Sequence, residues 1–287
     1  MLNMKKSLKT KDGLSIFYKY NPPKDKKKPV LFYVHGLGGN WSLWKESIKE
    51  ARKSGFGALA LDLRGHGLSS FPEEYEQYKL ETLAKDLRDI VLKEKIKNYV
   101  FLGHSLGGSI MIVYCMVYKT FLPKALVFVE ATHRYPYKKY HELNSNPVLC
   151  YSLRKLVDWK ILNNKNLPKL PELDLFSITS ENVFYQVFDE LYHTSMKTIF
   201  FCLDAAKEFS DNRLKDVNKA LSVLPIPTLI IAGKKDTVIS SKFSKELNKL
   251  MPNSKLKIFK EGTHHLPLEH PQLLNTEVFS FLSNIKF

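Results

Sequence analysis

The sequence predicts an α/β fold: a mostly parallel central sheet with helices on both faces and an inserted helical segment. Three observations predict it. Short apolar runs alternate with stretches of helical periodicity along most of the chain. Several of these runs stop abruptly at glycine-rich turns, as buried strands do where they leave the sheet. One long interval, 132–210, breaks the alternation and offers no convincing strand.

Taken in order, Lys5 to Leu8 and Leu14 to Tyr20 are expected to pair as an antiparallel edge. Val30 to Val34 is an apolar, β-branched and aromatic run that ends at His35-Gly36-Leu37-Gly38-Gly39, a buried strand feeding a loop. Trp41 to Ser54 carries a helical pattern closed by Gly55 at a C′ position. Ala58 to Leu63 is the next strand, followed by the turn Arg64-Gly65-His66-Gly67. Leu80, Leu83, Leu87, Ile90 and Val91 recur at helical spacing, and Tyr99 to Leu102 forms a strand before Gly103. Ile110 to Tyr118 reads as a buried helix and Ala125 to Val129 as a further strand. Thr228 to Ile231 and Leu256 to Phe259 complete the set, separated by the amphipathic stretch Ser241 to Leu250. Strands apolar on both faces belong to a parallel sheet covered on both sides.

The interval 132–210 is rich in Tyr, Leu, Phe, Asn and Lys and holds helical patterns at Val183 to Tyr192 and Met196 to Phe209. An inserted helical cap is the economical interpretation. The core is then expected in two parts, 1–131 and 211–287, with Leu167 to Pro171 a loop inside the cap.

Composition narrows the function classes. A hydrophobic fraction of 44% with 12% aromatics supports one substantial core and argues against a disordered or fibrous chain. The net charge of +15 comes from Lys spread along the chain, with only a short run at Lys24, Lys26, Lys27 and Lys28. There is no aromatic-interleaved basic stripe, RNA-binding signature or zinc-finger spacing, so no nucleic-acid partner is expected. Cys115, Cys150 and Cys202 are odd in number, far apart and set among apolar neighbours. That suits buried free thiols in a reducing compartment rather than a disulfide framework. No signal peptide is read at the N-terminus, and the longest apolar stretch, Ile110 to Val117, is too short to cross a bilayer. A soluble cytoplasmic protein, monomer or homodimer, is the expectation.

The chemistry sits at the strand ends. Gly103-His104-Ser105-Leu106-Gly107 fits G-x-S-x-G and lies directly between a strand and a helix. Such a turn holds the serine in a strained conformation and pushes its hydroxyl over the carboxyl edge of the sheet. The following helix adds its positive N-terminal end, and the Leu106 N–H is expected to face a developing oxyanion. Leu37, after the earlier strand, is expected to supply the second donor, with Gly36, Gly38 and Gly39 allowing close backbone approach. Asp236 follows one late strand through Ala232-Gly233-Lys234-Lys235, and His264 follows the next through Glu261-Gly262-Thr263. Both emerge at the same sheet edge as Ser105. The chain order Ser, Asp, His is the one this constellation takes on such a fold.

On these motifs, together with Asp62-Leu63-Arg64-Gly65-His66-Gly67-Leu68-Ser69 and Gly262-Thr263-His264 with Glu269 and Pro271, the chain resembles the α/β-hydrolase family across essentially its whole length. Within the family the look is that of capped esterases, thioesterases and carbon-carbon bond hydrolases. The resemblance implies Ser105 as nucleophile, His264 as general base and Asp236 as the acid that orients it. His264 and His265 are adjacent, and the family pattern, with an acidic residue five positions on, favours His264 as the base. Glu130 stands where some members carry their acid, and Asp236 stands at the commoner place. Asp62 and His66 are implied to be structural, and His104 to pack beside the nucleophile.

The implied reaction is acyl transfer to water on a small apolar acyl or aryl ester, or a thioester, through an acyl-enzyme. No metal or organic cofactor is required. Trp41, Tyr137, Phe188 and His265 are the candidate substrate-binding residues, although aromatic groups in the cap, and Trp41 and Trp44, can equally serve packing. A carbon-carbon bond hydrolase, a peptidase, or a ligand receptor built on the same fold are the alternatives.

Overall fold

The computed structural model describes residues 5–136 and 194–287. Eight strands form one sheet: β1 (Lys5–Lys9), β2 (Ser15–Asn21), β3 (Val30–Val34), β4 (Gly57–Leu61), β5 (Tyr99–His104), β6 (Ala125–Val129), β7 (Thr228–Gly233) and β8 (Ser254–Phe259). Their spatial order is β1-β2-β4-β3-β5-β6-β7-β8. The β1–β2 and β2–β4 pairs are antiparallel, and every pair from β4 to β8 is parallel. The antiparallel edge and the parallel body are those expected from the sequence.

Period-2 alternation splits the core into two layers. Phe32, Leu59, Leu61, Phe101, Phe128 and Ile230 point to one face, where they meet α2 (Leu80–Lys93), α3 (Leu106–Val117) and α4 (Met196–Ser222). Leu31, Tyr33, Ala58, Leu102, Val127 and Ile231 point to the other, against α1 (Lys45–Lys53) and the C-terminal helices α6 (Leu266–Glu269) and α7 (Pro271–Leu282). The amphipathic stretch read at Ser241 to Leu250 is α5 (Ser241–Leu250), over the β7–β8 end.

Three local differences from the sequence reading have clear causes. The helix expected from Trp41 begins as a 3-10 turn, Trp41–Trp44, because the Asn40 side chain accepts from the Ser42 N–H and sets a tight entry before α1. The strand placed at Ala58 to Leu63 runs over Gly57–Leu61. Gly57 belongs to it because a Cβ there would come within 2.9 Å of Pro23 and Val30, so only a bare backbone lets β4 start beside β3. The helical pattern at Met196 to Phe209 extends to Ser222, continuing through position 210 without a break. The pattern at Val183 to Tyr192 lies outside the described residues. Among the described residues no helix is long and apolar enough to cross a membrane.

Candidate active site

The strand order reverses at β3: β4 lies on one side of it and β5 on the other. Loops leaving β3 and β5 therefore diverge, and the crevice between them is where a parallel sheet binds ligands. The loop His35 to Gly39 and Ser105 occupy that crevice.

Ser105 has φ 50° and ψ −118°, a left-handed conformation that costs a non-glycine residue about 1–3 kcal/mol. Its N–H donates to the Val129 carbonyl at 3.1 Å, which ties the turn to β6. Glycine is required on both sides. A Cβ on Gly103 would collide with the Met111 sulfur, and one on Gly107 would lie 2.5 Å from the Val34 carbonyl oxygen and 2.7 Å from that of His35. Close packing of α3 onto β3 therefore holds Ser105 at the mouth of the helix.

His264 sits in the loop after β8. Its Nδ1 is 2.8 Å from Asp236 Oδ2, and its Nε2 is 3.1 Å from Ser105 Oγ. A carboxylate only accepts, so Nδ1 carries the proton and Nε2 is left to accept from the serine hydroxyl. Asp236 is buried and fixed by two backbone donors, the N–H groups of Val238 and Ile239, each 2.8 Å from Oδ1. The three side chains named at three strand ends thus form one hydrogen-bonded line. Glu130 does not join it by way of Nδ1, which is occupied by Asp236.

The supporting turn is equally determined. Asp62 accepts from the Trp41 N–H at 2.7 Å and the Leu68 N–H at 2.8 Å, and burial pushes its carboxyl up to about 6 against the pull of those two bonds. His35 Nδ1–H donates to the Gly36 carbonyl, and Nε2 accepts from the Leu63 N–H at 2.9 Å. Burial, reinforced by neighbouring His66, holds that imidazole neutral. His35 and Asp62 thereby lock the β3 and β4 loops to each other. Burial also pushes His66 down to about 4. Asp62 and His66 build loops, as the resemblance implied.

Leu37, Ser105 and Leu106 line one cleft with Ile112, Leu203 and Phe209. His265 and Trp41 are not among the described lining residues. Trp41 packs against the opposite layer, its amide held by Asp62 and its ring 3.1 Å beneath the Lys19 ammonium. The His265 N–H accepts a place in the loop by donating to Thr263 Oγ1, and the Thr263 hydroxyl reaches the Glu269 carboxylate at 2.8 Å. Tyr137 and Phe188 lie outside the described residues. The cleft wall also holds Tyr135, one of the cap aromatics that the sequence offers as pocket lining, together with Thr132 and His133 and with Cys202, Leu203, Ala206 and Phe209, which the sequence did not single out. The last four are spaced along one face of α4, a periodicity that was visible but not aimed at the site.

A largely parallel sheet of eight strands with a strained serine turn at its switch point defines an α/β-hydrolase fold. The family described as Hydrolase_4, serine aminopeptidase S33, matches residues 25–271, and the chain belongs to that family of α/β hydrolases. Human Protein ABHD8 is 24% identical over 268 residues, covering 88% of this chain and 55% of that protein, so the chain spans about half the length of such curated relatives. The AB hydrolase superfamily protein YisY of Bacillus subtilis (strain 168) is 26% identical over 263 residues, 88% of this chain and 91% of that one. Among solved structures, an esterase (EaEST) from Exiguobacterium antarcticum has a TM-score of 0.76 at 17% identity, covering 98% of this chain and 100% of its own. At that identity the likeness establishes the fold.

Proposed function

We propose that the protein is a serine hydrolase that cleaves carboxylic ester or thioester bonds of a small apolar acyl or aryl substrate. The observation that carries the reading is the His264 bridge, 2.8 Å to Asp236 on one side and 3.1 Å to a strained Ser105 on the other. In this reading His264 takes the hydroxyl proton as Ser105 Oγ attacks the substrate carbonyl. Asp236 stabilises the imidazolium, and the N–H groups of Leu37 and Leu106 receive the oxyanion, aided by the N-terminus of α3. The imidazolium then protonates the departing alcohol or thiol. Water enters, gives a proton to His264 and attacks the acyl-enzyme, and the acid leaves as Ser105 recovers its proton.

The cleft wall supports an apolar substrate, being built from Leu37, Leu106, Ile112, Leu203 and Phe209. We read 132–210 as the inserted unit that sets substrate choice, since Thr132 to Pro136 and Cys202 to Ser210 both contribute to that wall. The family's description favours a second reading, an aminopeptidase. Such an enzyme needs an anionic group for the substrate's ammonium, whereas the described lining carries the cation Arg134, which supports ester hydrolysis over it. An epoxide-opening route, suggested by a relative named Epoxide hydrolase 4, would need a carboxylate nucleophile where Ser105 stands.

The test is hydrolysis of p-nitrophenyl esters of increasing acyl length beside aminoacyl p-nitroanilides, with Ser105→Ala as control. Ser105-dependent turnover of the esters with a length optimum is expected. Turnover of the anilides alone would move the assignment to a peptidase, and an Ser105→Ala variant retaining about half the activity would remove Ser105 as nucleophile, because losing the attacking group costs several orders of magnitude.

A further inference from the structure

Beside His264, two buried polar side chains remain that the proposed chemistry does not use. His104 ends β5 and Glu130 follows β6, and these strands are neighbours. His104 Nε2 is 2.8 Å from the backbone carbonyl of His264. A carbonyl only accepts, so Nε2 carries the proton and donates it there. Glu130 Oε2 accepts from the Leu266 N–H at 3.3 Å and lies 3.4 Å from His104 Nε2. The His104 ring packs 4.8 Å from the His264 ring. The backbone on either side of the His264–Leu266 segment is thus gripped from below, its carbonyl by one side chain and its N–H by the other.

Two further observations set this pair apart from ordinary core packing. Glu130 is fully buried and has φ 51°, a left-handed conformation that a glutamate adopts only when its surroundings enforce it. Its other oxygen, Oε1, and His104 Nδ1 have no hydrogen-bond partner among the described residues. Such groups are expensive to keep in a core and call for a reason.

We propose that Glu130 and His104 form a clamp on the backbone of the His264 loop, in which Glu130 is a positioning residue acting as a hydrogen-bond acceptor and not as the carboxylate that pairs with the His264 ring. The clamp rests on the reading of His264 as general base for its catalytic consequence, but its geometry is independent of which bond is cleaved. Burial, with the nearby Asp236 charge adding to it, raises the Glu130 carboxyl well above its ordinary range. A neutral acid fits the role. It leaves Asp236 as the one charge on His264, so that the imidazolium is stabilised from the Nδ1 side and Nε2 stays aimed at Ser105. Burial likewise pushes His104 down to about 4, which keeps one nitrogen as donor and the other bare.

The test compares Glu130→Gln, which keeps an acceptor but cannot ionise, with Glu130→Met, which keeps the bulk and removes the acceptor. Two readouts are taken on the full chain: hydrogen exchange at the Leu266 amide, and kcat and KM for the best p-nitrophenyl ester. The methionine variant should lose about tenfold in Leu266 protection and about tenfold in kcat with KM little changed, while the glutamine variant stays close to wild type in both. A glutamine variant as impaired in kcat as Asp236→Asn would overturn the proposal, since Glu130 would then act through its charge. Unchanged Leu266 exchange in the methionine variant would overturn it as well. Because exchange needs no substrate, failure of the ester assay alone would count against the function proposed above and leave the clamp to be decided by Leu266. Should the methionine variant fail to fold, Glu130→Leu, which also removes the acceptor for the Leu266 N–H, carries the same exchange and kcat expectations.

Discussion

Replacing Arg64 by methionine tests how much of the scaffold beneath the site hangs on one buried ion pair. Arg64 leaves the turn after β4 and points back under it, with 2% of its side chain exposed. Its Nε and Nη2 donate to the two oxygens of Asp86 on α2, at 2.7 and 2.6 Å, a bidentate pair in which the carboxylate is equally buried. Nη1 adds bonds to Asp12 at 2.8 Å and to the Gln77 carbonyl at 3.3 Å. Asp12 is more than a third exposed and contributes little. The loss is therefore governed by Asp86, left buried without its cation, and breaking such a pair costs about 3–5 kcal/mol. For a domain of this size that corresponds to a fall in Tm of roughly 5–8 °C. Two features identify the cause. Burial already works to raise the Asp86 carboxyl and the guanidinium opposes it, so removing Arg64 raises it further. A carboxyl raised above its unfolded value leaves stability intact below about pH 4 and drains it as pH climbs through the raised value, so the deficit should widen towards about pH 7. The double variant Arg64→Met, Asp86→Leu should recover most of the loss and show no such pH dependence. Urea unfolding at two pH values measures both. A single variant within about 1 kcal/mol of wild type, or a deficit equal at the two pH values, would refute the reasoning.

Two further outcomes are expected. Gly107→Ala places a Cβ against the Val34 and His35 carbonyl oxygens, backbone atoms that cannot rotate away, so it should cost about 1–3 kcal/mol in urea unfolding and lower kcat by displacing Ser105 from the His35–Gly39 loop. A variant as stable and active as wild type would mean that α3 does not need this close approach. Burial pushes both the Cys115 and Cys202 thiols up to about 12. Peptides carrying either residue should therefore stay unlabelled by iodoacetamide in the native protein at about pH 8 and label fully in urea, because the thiolate is the reacting species. Native labelling of Cys202 would show that the cleft wall opens at α4.

The parts of the site that were legible are those written in a strand and the turn that follows it. Ser105 needs small neighbours on both sides of one tight turn, and Asp236 and His264 each lie a few residues past an apolar run. The connection of those turns to each other was harder to see. Nothing in the local sequence of His104 or Glu130 says that β5 and β6 are adjacent, and adjacency alone turns an elbow residue and a strand-end carboxyl into partners of the His264 loop. The surroundings of Trp41 were hidden for a similar reason: nothing in its local sequence says that the Asp62 carboxylate, from another strand end, holds its amide while its ring packs against the opposite layer. The C-terminal helices went unread although Leu274, Val278 and Leu282 recur at helical spacing after Pro271, a signal that was present in the pattern.

The strand order explains why the site needs reinforcement at the places where it is found. Ser105 stands at the end of β5 and His264 follows β8, three strands away in the sheet. At about 4.8 Å per strand the two strand axes are roughly 14 Å apart, far beyond the reach of a histidine side chain. The β8 loop must therefore lean back across β7 and β6 to bring Nε2 to within 3.1 Å of the serine oxygen. At β7 it is carried by backbone contact: the Lys235 N–H donates to the Gly262 carbonyl at 2.9 Å, and Gly233 and Gly262 are so close that neither tolerates a Cβ. At β6 and β5 the contacts come from side chains, Glu130 and His104, one residue from each strand end. Each crossed strand thus supplies one hold on the loop. Burial of two imperfectly satisfied polar side chains is the structural cost of carrying His264 that distance and keeping it there.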